Sequence, residues 1–163
     1  MEASRLRNAV ALILAVLVCG LGFWLGEAGK PPWHPLPIVA GMVGAIVVAC
    51  AIPGRAIRRA SIGVAMAVLY GLVFLGGLSS FNQAFAECVE RGEEVRVALK
   101  EFHRTQSTYP ERLDHLPTAV PCRRISRRTI LSYERTTSGY DLRFGDWLME
   151  HTATESDSFM AHK

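Results

Sequence analysis

Three stretches of this chain run without a charged side chain for far longer than a soluble core element needs: residues 8–26, 36–52 and 61–81. They are 19, 17 and 21 residues long, and a bilayer core of about 30 Å takes roughly 17–25 helical residues. Lipid offers no partner for an open backbone, so a run that enters it must be helical. The expectation is a three-span membrane region over residues 1–81, with transmembrane helices at about 8–26, 36–52 and 61–81. The connectors are short: residues 27–35 are rich in Pro and Gly and 53–60 in Arg, so both read as turns between antiparallel neighbours.

Charge supports the same division. Half of the 163 residues are apolar, yet most ionisable side chains fall after residue 81, which marks a second domain over 82–163. The formal net charge of +3 is small and dispersed, so no nucleic-acid partner is expected. Arg5, Arg7, Arg55, Arg58 and Arg59 lie at one set of span ends. The opposite ends offer Lys30, then Arg91 among Glu87, Glu90, Glu93 and Glu94. The positive-inside bias then puts the N-terminus in the cytoplasm and the C-terminal domain outside it. Trp24 and Trp33 fall at the outer boundary, where aromatic belts occur. Gly26-Glu27-Ala28 also reads as a small-residue cleavage site, which leaves the first run open as a signal peptide; the C-terminal domain is placed outside either way.

Within the runs, Gly22 and Gly26, Gly41, Ala45 and Ala49, and Gly63, Ala67 and Gly71 repeat at four-residue spacing. Small residues so spaced let helix backbones approach closely, as in a three-helix bundle or a self-association face. No Asp, Glu, Lys, Arg or His lies inside a run, and such residues usually mark ion pathways. The runs therefore read as an anchor, whose first partner is the lipid bilayer.

The third run continues into an amphipathic stripe. Phe81, Phe85, Cys88, Gly92, Val95, Leu99 and Phe102 recur at three- and four-residue steps among Glu, Arg and Lys, which predicts one helix from about residue 61 to 103. Gly92 is its expected weak point, and Val97 falls off the stripe. Beyond it, Pro110 sits near the start of a predicted short helical turn over 107–116. Residues 129–134 and 140–144 read as strands joined through Ser138-Gly139, and Tyr140, Leu142 and Phe144 alternate with Asp141 and Arg143 as on a half-buried antiparallel sheet. Residues 147–152 and 159–162 add a second hairpin. The fold class expected is membrane α-helical plus an α+β extracytoplasmic domain, a long helix packed on a small antiparallel sheet.

A membrane helix running into an amphipathic helix, then Tyr109-Pro110 with Leu113 and Leu116, then Leu131-Ser132-Tyr133 and Gly139-Tyr140-Asp141-Leu142-Arg143-Phe144, resembles the type IV pilin and type II secretion pseudopilin domains over about 61–145. The resemblance implies a helix packed on an antiparallel sheet, in bacterial proteins that assemble or scaffold rather than catalyse. The processing signal of that family is missing. Gly22 and Glu27 imitate its spacing, but Lys30-Pro31-Pro32 interrupt the helix that should follow, and the third run contains no such Glu. Neither peptidase processing nor incorporation into a fibre is expected.

Two groups of residues are candidates for a specific role. Cys88 lies on the inward stripe and Cys122 begins a loop of the same domain, so an oxidising compartment would favour a Cys88–Cys122 disulfide. Cys19 and Cys50 fall in apolar runs, as small packing residues. Arg123, Arg124, Arg127 and Arg128 form the densest charge cluster, read either as a solvated loop or as a contact for an anionic partner or lipid phosphates. The five histidines show no zinc-ligand spacing, and no nucleophile elbow, phosphate loop or dinucleotide fingerprint occurs. No cofactor, metal or catalytic residue is expected. The functional expectation is a non-catalytic membrane-anchored protein of the bacterial cytoplasmic membrane, presenting its outer domain for interaction or assembly. The alternatives are an accessory subunit of a larger membrane or secretion complex, or an extracytoplasmic enzyme of unrecognised type.

Overall fold

The computed structural model describes residues 2–163 apart from Lys30, Pro32, Pro53, Ala119 and Ser138. Lys30 as the outer-loop cation, Pro32 in the helix-interrupting run, Pro53 in the second connector and Ser138 in the hairpin turn therefore lie outside the described residues. Three helices, α1 (Glu2–Glu27), α2 (Pro35–Ala51) and α3 (Ala56–Gln106), precede four strands, β1 (Ser132–Arg135), β2 (Tyr140–Gly145), β3 (Glu150–Thr154) and β4 (Met160–His162). The chain divides into two compact units, Met1–Ser79 and Ser80–Lys163.

In the first unit, α1 and α3 each contain a stretch long and apolar enough to cross a membrane. α2 is equally free of charge but has 17 residues, about 26 Å at 1.5 Å per residue, a little short of the ~30 Å hydrocarbon core. Large apolar side chains point outward on all three, among them Leu12 and Val16, Met42 and Ile46, and Val68 and Leu72. The interior combines large side chains, among them Leu25, Val48, Met66, Tyr70 and Phe74, with small residues that let the helices approach. The ring of Tyr70 lies against Gly22 of α1 and Gly41 of α2: a Cβ on either would come within 2.8 and 2.6 Å of it. Its hydroxyl donates to the carbonyl of Pro37 at 2.9 Å. Gly26 and Gly77 bring α1 and α3 together so closely that a Cβ on Gly77 would collide with the Phe23 carbonyl. Gly22, Gly26, Gly41 and the buried Ala45 thus serve packing within the chain, whereas Gly71 faces open space.

The second unit is a four-stranded antiparallel meander, in order β1-β2-β3-β4, on the C-terminal half of α3. Tyr140, Leu142 and Phe144 point into the core, and Leu142 pairs with Ala153. They meet Cys88, Val95 and Leu99 of α3, with Phe85 and Phe102 at the margins. Val97, off the stripe, is exposed. α3 passes through Gly92 unbroken, and that glycine makes room for a ring: a Cβ there would lie 2.9 Å from Phe159. The helix ends when Ser107 adopts φ 57° and its amide bonds to the His103 carbonyl at 2.8 Å, a left-handed cap.

Element boundaries differ from the expectation in several places. α3 begins five residues before Ser61, at Ala56, and ends at Gln106. The helical turn expected over 107–116 reduces to a three-residue 3-10 turn, Leu113–His115. Pro110 lies in extended chain before it, its carbonyl accepting from the Tyr133 hydroxyl at 2.6 Å. The first strand starts at Ser132 rather than 129, and Trp147 belongs to a tight turn, not to β3. Gly77→Val should destabilise the three-helix unit by ~1–3 kcal/mol through overpacking, while Gly76→Ala, with nothing within 4 Å, should leave it unchanged or stabilise it by up to ~1 kcal/mol, alanine being the better helix former. Thermal unfolding in detergent micelles measures both.

Candidate functional site

The segment after the 3-10 turn runs back along α3 and carries Cys122 and the four candidate arginines. Leu116 and Val120 share the core with Val95. Cys122 is bonded to Cys88, with Cα atoms 4.9 Å apart. Its amide donates to the Glu87 carboxylate at 2.9 Å. Three residues on, the amide of Ile125 donates to the Ser80 hydroxyl at 2.9 Å. Each contact lies nearer the N-terminal end of this unit's helix than the one before, so the segment delivers residues 123–128 to the end at which α3 enters the domain.

There the chain reverses. Arg123 pairs with Thr129 in an isolated bridge, the Arg127 amide donates to the Arg124 carbonyl at 2.8 Å, and Arg127 takes φ 64° to close the turn. The four arginines are thereby grouped on one loop, with Ile125 at 68% exposure between them. Arg123 also reaches Asp114 at 3.8 Å and the Val120 carbonyl at 3.2 Å. Arg124 reaches the Arg128 carbonyl at 3.4 Å.

The polar centre of the unit is Arg96, which sequence reasoning passed over as one more solvent-side charge. It is only 7% exposed. Its Nε and one terminal nitrogen donate to the Thr154 carbonyl at 3.2 and 3.1 Å, and its other terminal nitrogen to Glu93 at 2.7 Å. The second Glu93 oxygen accepts from the Phe159 amide at 3.1 Å. This ties the β3–β4 hairpin to the helix. Burial opposes ionisation of Glu93, but the Phe159 amide and Arg96 guanidinium outweigh it and hold the carboxyl below its ordinary range. The Tyr140 hydroxyl is buried without a partner in hydrogen-bonding geometry among the described residues. Its burial raises its pKa even though Arg96 beside it favours the ionised form.

An open cleft of about 480 Å³ lies at the other end of the unit, lined by His103, Tyr109, Arg135 and Glu155 among others. His103 stacks on Tyr109 with ring centroids 4.4 Å apart, and Arg135 is occupied with the Tyr109 carbonyl at 3.3 Å. Burial, and then the Glu155 carboxylate, raise the Tyr109 hydroxyl well above its usual range, so it stays protonated and can act there only as a hydrogen-bonding group. Among the described residues no group of three His, Cys, Asp or Glu side chains is placed to hold a metal. No family model, curated protein or solved structure matches the chain.

Two consequences are measurable. The Cys88–Cys122 bond spans 34 residues of sequence, worth about 4 kcal/mol in the chain-entropy account. The double variant Cys88→Ala/Cys122→Ala should lose stability of that order in the denaturant unfolding of the full chain. Because the Glu93 pKa is lower in the folded state, its contribution is complete above about pH 4.5 and is lost as pH falls through the folded value. Glu93→Gln should flatten that acid limb in urea midpoints taken from neutral to acidic pH.

Proposed function

We propose that the chain is a non-catalytic, membrane-anchored protein that presents a pilin-like α+β domain outside the cytoplasmic membrane for interaction or assembly. The observation that carries this reading is α3. One helix is apolar and outward-facing over 61–79 and then serves as the spine of a disulfide-bonded sheet domain. An outward apolar surface of this kind suits lipid, and a disulfide persists in an oxidising compartment rather than in a reducing cytosol. In this reading α2 is the third span, tilted little because it is short. The arginines at 55, 58 and 59 then share the cytoplasmic side with Arg5 and Arg7.

A helix laid on an antiparallel meander, with the Tyr109-Pro110 segment bound by β1 through Tyr133 and Arg135, supports the pilin-like description. The fold alone assigns no activity. An accessory role in a larger membrane complex is the second reading, favoured by Gly71, whose open side on α3 leaves room for another helix.

Fusions test the topology. A reporter that works only after export should be active when joined after Lys163 and inactive when joined after Arg58. Activity of the Lys163 fusion only with a cytoplasmic reporter would overturn the reading. An active exported reporter after Arg58 would remove α2 as a span.

A further inference from the structure

The end of the domain at which α3 enters it carries two projecting apolar tips. One is Ile125, held at Ser80 within the four-arginine loop. The other is the β2–β3 turn, where Trp147 and Leu148 are 45% and 57% exposed. The Asp146 carboxylate accepts from the Leu148 and Met149 amides at 2.7 and 2.8 Å, and its own amide donates to the Met149 carbonyl, so the turn is braced from within.

Ring contacts fix where that turn lies. Tyr140, at the start of β2, faces Arg96, and Phe144, four residues on, faces Phe85 at 5.6 Å. His151 of β3 closes on the same ring at 5.7 Å. The strand rises ~14 Å between those contacts while the helix falls back ~17 Å, so β2 runs alongside α3 toward its point of entry. The turn lies about 7 Å beyond Phe144, and Ser80 about 7.5 Å before Phe85. Both tips therefore stand at the level of Ser80 and Phe81, where the charge-free run ends.

We infer that this end of the domain is a membrane-docking face: Ile125, Trp147 and Leu148 enter the interfacial layer of the leaflet the domain faces, and Arg127 and Arg128 contact the phosphates of anionic phospholipids. The inference rests on the membrane reading of α3. Chain connectivity supplies the position, since the residue before Ser80 belongs to the apolar segment. Chemistry supplies the occupant. A guanidinium matches phosphate oxygens in a bidentate fork, Trp favours the interfacial depth, and apolar side chains flanked by cations are the usual pattern of a surface that lies on lipid. A partner recognised by charge alone would give Ile125 and Leu148 no reason to project. Docking at two points would fix the orientation of the domain over the bilayer, which a single helix leaves free to swivel.

The full chain, with Cys19→Ala and Cys50→Ala and the disulfide intact, is reconstituted in vesicles of phosphatidylcholine with phosphatidylglycerol. Nitroxide labels are placed singly at Ile125→Cys, Leu148→Cys, Thr136→Cys and Leu72→Cys. Collisions with oxygen and with a water-soluble relaxant then report depth. Labels at 125 and 148 should lose contact with the water-soluble relaxant relative to 136, at a depth shallower than 72. Arg127→Gln/Arg128→Gln should restore part of that contact at 125. Labels at 125 and 148 as wet as 136, with 72 still in hydrocarbon, would overturn the docking face and leave the arginines to an acidic protein partner. A wet label at 72 would overturn the membrane anchor, and the docking face with it.

Discussion

The second unit depends on a single apolar stripe along α3, from Phe81 through Cys88 and Val95 to Leu99. Four strands of three to six residues offer too little surface to be stable as an isolated sheet. Laid on a helix, they bury Tyr140, Leu142 and Phe144 on one face and leave Asp141 and Arg143 at the other. Gly92 belongs to this arrangement. Its missing side chain weakens the helix by roughly 1 kcal/mol relative to alanine, but the ring of Phe159 occupies the space and joins Phe144 edge-on.

Apolar contact alone would let a short sheet slide over a helix. Two features remove that freedom. Arg96 reaches from the helix to the Thr154 carbonyl while Glu93 takes the Phe159 amide, so β3 and the start of β4 are held at one height. The Cys88–Cys122 bond and the Glu87 bond to the same residue's amide pin the returning loop. Surface pairs such as Arg91 with Glu87 and Glu94 add little by comparison, because exposed ion pairs are weak.

The first unit is assembled on a different principle. Its outward surfaces are as apolar as its interior, so a contrast in polarity does not mark which helix faces pack together. Close approach does so instead: Tyr70 fits against two glycines from two helices, and Gly26 faces Gly77. The same small-residue spacing that suggests self-association is largely consumed inside the chain, with Gly71 and the exposed Ala67 as exceptions.

Much of this was legible in the sequence because it is periodic or compositional. Charge-free runs, a stripe at three- and four-residue steps, and alternation at Tyr140–Phe144 depend only on local geometry, and the helices and the sheet follow from them. Two cysteines in the charged domain were enough to suggest a bond. Position in space was not legible. Arg96 looks like any other helix charge until β3 covers it, and the arginine loop stands far from α3 in sequence although Ile125 touches Ser80. Trp147 and Leu148 read as a strand until the Asp146 turn expels them. By itself the sequence determined which segments are helix, sheet or lipid-compatible, since those are properties of neighbouring residues. Which charges are buried, which glycines hold rings, and which apolar side chains gather at one end were decided only by the tertiary structure, because each depends on contacts between residues distant in sequence.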